Sequence, residues 1–334
     1  MFYRIIGLSK LGWVLEIPDT SMRRMGSRRL TPNTMSSTGG ISWQPPELDP
    51  SLARFEARCH KAKQQPFLDE RPMSEAVKSC AWRNFRQPRL GHFEHQGKVN
   101  FKRLLGYGVD GVVWKVTIDE CIYALKVFWD NNPPEGTRYW SVQRECHNVS
   151  FLEMMRFTIE NSSDPIRLHP QPQTYRDALA NIHAFSDEGR EQQSFRDTPG
   201  VIEYSTLPRV RRCYGWMMIS GEELWALPRK IQIPEVRLDG AMRDISPSED
   251  YHAIVYEYVS DAGCPLSLEA VQAQLDFFWL AGFCLVPSRA ENWKGVGILV
   301  DMADLICPWH IPWHPSLYGQ RRAAEVCDGR AIGA

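Results

Sequence analysis

The chain has 334 residues, of which 43% are hydrophobic and 24% are charged, and its formal net charge is −1. This length accommodates one large domain or two of ordinary size, and the apolar fraction is ample for a packed core. The balance of 39 basic and 40 acidic residues argues against a dedicated nucleic-acid or membrane-surface binding protein, because such proteins concentrate positive charge.

The nine cysteines contain no C-x-x-C pair, and their number is odd. Reduced thiols in the cytosol or nucleus are therefore expected rather than a disulfide framework. The apolar N-terminal stretch is interrupted by Arg4 and Lys10, so neither a signal peptide nor a membrane span is expected there. We expect an intracellular protein, nuclear or cytoplasmic, that has no membrane or nucleic-acid partner.

Residues 1–95 are expected to form a poorly ordered N-terminal extension with short helices. From residue 18 to about residue 50 the chain is rich in Ser, Thr, Pro, Gly and Arg and shows little periodicity, which is typical of disorder. Beyond it, helical spacing predicts two short helices, in "SLARFEARCHKAK" and "SEAVKSCAWRNF".

Three runs of β-branched and aromatic residues follow from Val99 and are separated by turn residues. They predict three successive antiparallel strands, in "VNFKRLLG", "VDGVVWKVTID" and "CIYALKVFW". A helix is predicted over residues 141–157, and residues 158–200 are predicted to be a polar, proline-containing insertion of loop or frayed helix.

Two further strands are predicted over residues 209–219 and 251–259, and the second should be central because it is apolar nearly throughout. The last long helix is predicted over residues 265–283. Ser267 can cap its start and Gly282 can end it.

The turn between the first two of these strands reads G-x-G-x-x-G-x-V, through Gly106, Gly108, Gly111 and Val113. Glycine lets a backbone approach phosphate oxygens without a Cβ in the way. Val113 would pack on a nucleotide base. The spacing predicts a nucleotide-binding turn.

A lysine and a glutamate complete the predicted nucleotide site. Lys126, at the end of "YALK", would reach the α- and β-phosphates, and Glu145 in the next helix would form its ion pair, with Glu153 as the alternative partner. Glu257, near the end of the fifth strand, is a further candidate nucleotide-binding residue.

The order of elements distinguishes between nucleotide-binding folds. A strand rather than a helix follows the glycines, which excludes a dinucleotide fold, and no G-K-[ST] follows them, which excludes a P-loop. The protein-kinase N-lobe has the same order of elements, namely a strand, a glycine turn, a strand, a strand that carries a lysine, and a helix that carries a glutamate. We therefore predict an α+β, protein-kinase-like fold with a five-stranded antiparallel N-lobe and a reduced helical C-lobe.

The predicted kinase-like domain spans residues 96–318. Its N-lobe covers residues 96–260, with the insertion inside it, and its reduced C-lobe covers residues 261–318. Residues 319–334 form a tail.

The second half of the chain bears on catalysis. When the sequence is aligned with the kinase catalytic loop on Asn292, Pro287 occupies the position of the catalytic aspartate, so no catalytic residue is expected. Asn292 and Asp301 take the positions of the two magnesium ligands, although a turn asparagine and a surface aspartate are the alternative interpretation. If the chain were active, Asp301 or Asp304 would do double duty, and Asp304 or Glu291 would be the first candidates for the base. Only 33 residues follow Asp301, too few for a peptide-substrate platform.

A different chemistry is conceivable in "CPWHIPWHP", where Cys307, His310 and His314 lie close in sequence. Thiolate and imidazole are the preferred ligands of zinc, but no fourth ligand is evident nearby. An aromatic, proline-rich segment that packs on the domain is the favoured interpretation.

The order of "GYGVDGVVWKV", "YALKVF", "RCYGW", "AIVYEYV", "AENW" and "GILVDMAD" resembles a fungal protein-kinase-like family related to the kinetochore Sim4-complex subunit family. The resemblance covers about residues 97–315. It implies a kinase-like fold and a protein partner. Family members tend to keep an R-D dipeptide before the asparagine, where this chain has Val286-Pro287.

The functional hypothesis is a nucleotide-binding-competent, catalytically impaired pseudokinase that acts as an interaction or regulatory module and binds ATP and Mg²⁺. Two alternatives stay open. One is an active atypical kinase, and the other is a kinetochore-type structural subunit that binds no nucleotide.

Overall fold

A computed structural model describes residues 50–238, 240–260, 265–286 and 290–327. The disorder expected near the N-terminus concerns residues 1–49, which lie outside these ranges, as do residues 328–334 at the end of the expected tail. The helices in the described ranges are α1 (Pro50–Lys63), α2 (Met73–Ala76), α3 (Trp82–Arg86), α4 (Ser141–Asn161), α5 (Tyr175–His183), α6 (Asp187–Glu191), α7 (Gly221–Trp225), α8 (Leu268–Leu280) and α9 (Ala323–Cys327).

The strands are β1 (Leu68–Pro72), β2 (Leu90–His92), β3 (Asn100–Tyr107), β4 (Gly111–Ile118), β5 (Cys121–Phe128), β6 (Ile166–Leu168), β7 (Ile202–Tyr204), β8 (Cys213–Ser220), β9 (Val236–Leu238), β10 (Ala241–Arg243), β11 (Asp250–Glu257), β12 (Cys284–Leu285), β13 (Trp293–Lys294), β14 (Ile298–Leu299) and β15 (Leu305–Ile306).

The largest sheet has seven strands in the order β1-β2-β8-β11-β5-β4-β3. The neighbours from β8 to β3 are antiparallel, and they correspond to the five predicted strands. The short strands β1 and β2, which the sequence did not predict, extend the sheet beyond β8 in parallel pairing. The mixed α+β architecture is confirmed, whereas the protein-kinase-like fold and the division into extension, lobes and tail stay predictions.

Alternation along the central strands sends side chains into two cores, because successive residues of a strand point to opposite faces of the sheet. On β5, Ala124 and Phe128 pack with residues of α4, whereas Leu125 and Val127 pack on the other face with Trp114. Residue 126, with the same parity as 124 and 128, therefore lies on the face that α4 covers.

Helix α4 is buried around almost its entire circumference, and its polar side chains bind other segments. Gln143 Nε2 donates to carbonyl groups at the end of α1, including that of Gln65 at 2.8 Å, and Ser150 Oγ donates to the Arg89 carbonyl at 2.8 Å. Asn148 Nδ2 donates at 2.9 Å to the carbonyls of Met302 and Leu305. Helix α4 thereby connects the N-terminal part of the described chain with its C-terminal part.

The predicted insertion contains regular structure. Helix α4 continues to Asn161, past the predicted end at residue 157, and α5 begins with a capping box formed by Thr174 and Asp177. Asn181 Nδ2 on α5 donates at 2.9 Å to the Leu280 carbonyl at the end of α8. The insertion therefore packs against the C-terminal half of the fold.

Helix α8 begins and ends at the expected signals. Ser267 Oγ accepts a hydrogen bond from the Ala270 backbone N–H at 3.2 Å. Gly282, with φ of +87°, follows the C-cap residue Ala281, in a conformation that glycine adopts without strain. No helix in the described ranges is long and apolar enough to cross a membrane, and no disulfide bond joins the described cysteines.

The burial of His147 in α4 predicts a pH-dependent stability. Its side chain is 7% exposed, and desolvation lowers the pKa to about 4. In the unfolded chain this pKa returns to about 6.5. Between these values the unfolded state binds a proton that the folded state does not, so stability falls as the pH drops through this window. His147 should contribute a loss of about 3 kcal/mol when the effect is complete.

Urea unfolding at pH 7 and pH 4.5 measures this loss. His147→Gln should reduce the pH dependence without abolishing it, because burial also lowers the pKa of His310 and of His252. His95→Gln, at an exposed position, should leave it unchanged. The same slope in all three proteins would show that another group causes the acid sensitivity.

Candidate functional site

A buried ion pair joins the sheet to α4. Lys126 Nζ on β5 lies 2.5 Å from Glu145 Oε2, and the two residues are 6% and 0% exposed. The pair forms because residue 126 faces α4 and Glu145 lies in the second turn of that helix. The predicted partner, Glu145, is thus in contact. Glu153, the alternative, instead accepts hydrogen bonds from Arg156 and from the Cys213 backbone.

Two further side chains complete this cluster. Tyr256 Oη on β11 donates to Glu145 Oε1 at 2.7 Å, so each carboxylate oxygen of Glu145 has a partner. Asp301 Oδ1 lies 3.1 Å from Lys126 Nζ and also accepts a hydrogen bond from the Ala303 backbone N–H. We refer to Lys126, Glu145, Tyr256 and Asp301 as the lysine cluster.

The electrostatics of the lysine cluster favour a charged lysine. Desolvation alone lowers the pKa of Lys126, but the negative charges of Asp301, Glu145 and Asp110 outweigh it and raise the pKa above its usual value. The ammonium is therefore balanced by carboxylates inside the protein. A phosphate that approached Lys126 would have to compete with Asp301.

Lys126 and Asp301 line a cleft of about 280 Å³. Its lining includes the glycine turn and Val113 together with the residues that directly follow β11 and β14. Of the predicted site residues, the cleft brings together Gly106, Gly108, Gly111, Val113, Lys126, Asn292 and Asp301.

The three glycines of the turn have different surroundings. A Cβ at Gly106 or Gly108 would meet no atom within 4 Å, whereas a Cβ at Gly111 would lie 2.1 Å from the Val127 carbonyl oxygen. The turn is held by Trp129 Nε1, which donates to the Gly108 carbonyl at 2.8 Å. Gly111 is therefore required by the sheet itself, and Gly106 and Gly108 leave open space in the cleft.

The predicted magnesium ligands are engaged with protein groups. Asn292 Nδ2 donates to Asp304 Oδ2 at 2.7 Å, and Asp301 pairs with Lys126. Both residues line the cleft. Pro287, the residue at the predicted base position, lies outside the described residues.

Glu257 is turned toward another partner. Its carboxylate forms a two-pronged ion pair with Arg209 and accepts a hydrogen bond from the Arg212 backbone at 3.3 Å, and Glu257 is not among the residues that line the cleft. The ion pair with Arg209 therefore explains the orientation of the Glu257 carboxylate without a bound nucleotide.

Sequence reasoning missed Arg211, which lines the cleft. Its Nε donates to the Glu257 carbonyl at 3.0 Å, its Nη1 donates to the Val300 carbonyl at 2.6 Å, and the guanidinium lies 4.3 Å from the centroid of the Tyr256 ring. Arg211 thereby joins the end of β11 to the segment before Asp301. The sequence shows only a basic cluster, "RVRR", and does not indicate which of its arginines lines the cleft.

The three candidate zinc ligands do not converge. His310 stacks on His147 with 5.6 Å between ring centroids, and His314 Nδ1 contacts Ser316 Oγ at 2.7 Å. Burial raises the pKa of the Cys307 thiol to about 12, which disfavours the thiolate that binds zinc. Within the part of the chain that the structure describes, no group of three or more metal-ligating side chains could hold a metal ion.

Residues 49–179 match the family model of the kinetochore Sim4 complex subunit FTA2. The matched segment contains α1–α3, β1–β5, the whole of α4, β6 and the first part of α5, and thus the glycine turn, Lys126 and Glu145. No curated protein and no solved structure matches the chain significantly. The match supports the Sim4-related part of the resemblance seen in the sequence.

Removal of the lysine charge should destabilise the protein strongly. Lys126→Met leaves Glu145 buried without its counter-ion, and breaking a buried pair in this way typically costs about 3–5 kcal/mol. The double variant Lys126→Met/Glu145→Gln should recover much of this loss, because a neutral amide oxygen can still accept from Tyr256. Chemical denaturation of the three proteins measures both effects.

An exposed pair provides the control for that experiment. Arg212→Met removes a surface contact with Glu160, in which both side chains are about half exposed, and should cost less than about 1 kcal/mol. If Lys126→Met were no more destabilising than Arg212→Met, the lysine cluster would not be a stabilising feature.

The glycine turn allows a matched comparison of two substitutions. Gly111→Ala forces a methyl group against the Val127 carbonyl and should destabilise the protein by several kcal/mol or prevent folding. Gly108→Ala has open space and should change the free energy of unfolding by less than about 1 kcal/mol. Equal effects in thermal unfolding would contradict the packing role assigned to Gly111.

Proposed function

We propose that this chain is a kinetochore-type subunit with a protein-kinase-like fold, and that it acts by binding protein partners rather than by phosphoryl transfer. The observation that carries the proposal is the match of residues 49–179 to the kinetochore Sim4 complex subunit family. A subunit of a complex works through protein contacts, and a kinetochore subunit works in the nucleus. Nuclear localisation and protein partners are therefore part of the proposal.

The kinase-like part of the proposal rests on the lysine cluster. Kinases pair a lysine of the third N-lobe strand with a glutamate of the following helix. Here Lys126 lies on β5, which is the third strand when β3 is counted as the first, and Glu145 lies on α4, the helix that follows. Their 2.5 Å contact and the glycine turn beside them support the same arrangement.

The absence of catalysis is inferred from Pro287 and from the contacts in the cleft. Proline can neither accept a proton nor orient a hydroxyl, and general-base assistance is typically worth on the order of 10² to 10⁴ in rate. Asn292 and Asp301 are bound to Asp304 and Lys126. An active atypical kinase would need Asp304 or Glu291 as its base, and Asp304 is buried and bonded to Asn292.

Nucleotide binding is the second candidate function, and one observation favours it. The glycine turn, Lys126, Asn292 and Asp301 line one cleft. ATP would place its phosphates beside Lys126, and Mg²⁺ would take oxygen ligands from Asn292 and Asp301. Asp301 would then exchange Lys126 for the metal ion.

The test uses the full chain with a fluorescent tag, expressed from its own locus in its native cells. The tagged protein should form foci at centromeres. Asp301→Asn should give the same foci. The substitution removes a charge that Mg²⁺ would need but leaves a side chain of nearly the same shape, so a subunit that requires no nucleotide should localise as before. A diffuse wild-type signal would overturn the kinetochore proposal.

Loss of foci in Asp301→Asn alone would favour the nucleotide-dependent candidate. Thermal unfolding of both purified proteins with ATP and Mg²⁺ provides the control. On the kinetochore-type proposal neither protein should be stabilised, whereas wild-type stabilisation that Asp301→Asn loses in Mg²⁺ and not in EDTA would establish a metal–nucleotide site.

A further inference from the structure

A second cavity lies apart from the cleft, between α1, the first turns of α4 and the segment 309–312. Its volume is about 70 Å³. Along α4, residues 140, 143, 144 and 147 line it, a spacing that puts them on one face of the helix. We call this space the α1–α4 cavity.

Arg144 is the unusual residue of the α1–α4 cavity. It is 8% exposed, and its guanidinium carbon lies 3.7 Å from the centroid of the Tyr139 ring. Among the described residues, no hydrogen bond or ion pair engages its guanidinium. A cation that is more than nine-tenths buried is costly unless an anion balances it.

Other polar nitrogen atoms of the α1–α4 cavity also lack partners within the described ranges. They are the indole Nε1 of Trp309, both ring nitrogens of His310, and Nδ1 of His147, and all four atoms are buried. Buried polar groups in proteins are nearly always hydrogen-bonded, so several unpaired atoms around one cavity indicate a ligand that pairs with them.

The charges around the α1–α4 cavity all have the same sign. Its lining includes Lys63, Arg86, Arg138 and Arg144 but no aspartate or glutamate. Lys63 already donates to backbone carbonyls and Arg138 pairs with Asp130 at 3.4 Å, which leaves Arg144 as the buried cation with neither a hydrogen-bond acceptor nor a counter-ion among the described residues. A negatively charged ligand fits this environment, and a metal ion does not.

The remaining walls are apolar or aromatic and include Phe55, Trp140, Ile311 and Pro312. Small-molecule sites commonly combine apolar walls with a few polar groups that fix the orientation of the ligand. A volume of about 70 Å³ accommodates an acid group but not a whole aromatic molecule, so a larger ligand would extend from the cavity along these walls.

We propose that the α1–α4 cavity binds a small organic oxyanion, a carboxylate or phosphate monoester on an aromatic or apolar body, with Arg144 as its charge partner. The planar guanidinium can donate two parallel hydrogen bonds to such a group, and the indole N–H of Trp309 can add a third. The apolar body would extend out of the cavity against Phe55 and Trp140, which are partly exposed. This site is independent of the proposed kinetochore function.

Binding to the full chain can be measured by thermal unfolding and by calorimetry with phenyl phosphate, benzoate and the neutral analogue phenol. At a ligand concentration 100-fold above the dissociation constant, the melting temperature should rise by roughly 5 °C. We expect this rise with phenyl phosphate or with benzoate, and the stronger of the two identifies the acid group. Phenol should give no comparable rise.

Variants assign the response to the α1–α4 cavity. Arg144→Gln should weaken binding by about 10- to 100-fold, the usual effect of losing a charge-assisted hydrogen bond. Trp309→Phe keeps a ring and removes only the N–H, and should weaken binding by several-fold. Arg212→Gln, which changes an exposed arginine on another surface, is the matched control and should bind as the wild type does.

Two results would overturn the proposal. One is the absence of stabilisation of the wild type by either anion. The other is unchanged affinity in Trp309→Phe and, where it folds, in Arg144→Gln, because the anion would then bind elsewhere, for example beside Lys126 in the cleft.

Discussion

The fold depends on the neutralisation of one buried lysine. Lys126 carries its charge inside the protein because Glu145 and Asp301 lie within 3.1 Å, and Tyr256 satisfies the second oxygen of Glu145. These residues come from a strand, a helix, a neighbouring strand and a segment near the C-terminal end of the described chain. Since loss of Lys126, Glu145 or Tyr256 leaves another buried group without its partner, the segments that carry them must be correctly placed together.

Helix α4 extends this mutual dependence to the rest of the molecule. It supplies Glu145 to the lysine cluster, while its amide and hydroxyl side chains bind carbonyl groups of α1, of the segment before β2 and of the turn after Asp301. Burying so many polar residues on one helix is tolerated because most of them find hydrogen-bond partners. Arg144 is the member of this helix for which the described protein supplies no anion, and this is why it points to a ligand rather than to the scaffold.

Much of the fold was predictable because the responsible signals are local. Alternation and turn residues predicted β3, β4, β5, β8 and β11, and sequence spacing alone indicated the contact between Lys126 and Glu145. Strands β1 and β2 were missed because "LDERP" and "LGH" are short and lack alternation, so only pairing with the sheet stabilises them. The tertiary roles of Arg211 and Glu257 likewise depend on which carbonyls and charges the fold brings near them.

The two short strands also change what the sheet presents to other molecules. They cover the edge of β8, so that β3 forms the other margin, where Lys102 and Arg103 are exposed and two register shifts interrupt the pairing with β4. Charge and irregularity at a sheet edge discourage the addition of a strand from another chain.

The β8 edge has no such protection of its own, since Gly215, Trp216 and Met217 are buried there. A fragment that begins at residue 96 would expose backbone donors and acceptors beside apolar side chains, and would tend to self-associate through β8. By covering the edge of β8, residues 68–92 thus protect the sheet from aggregation.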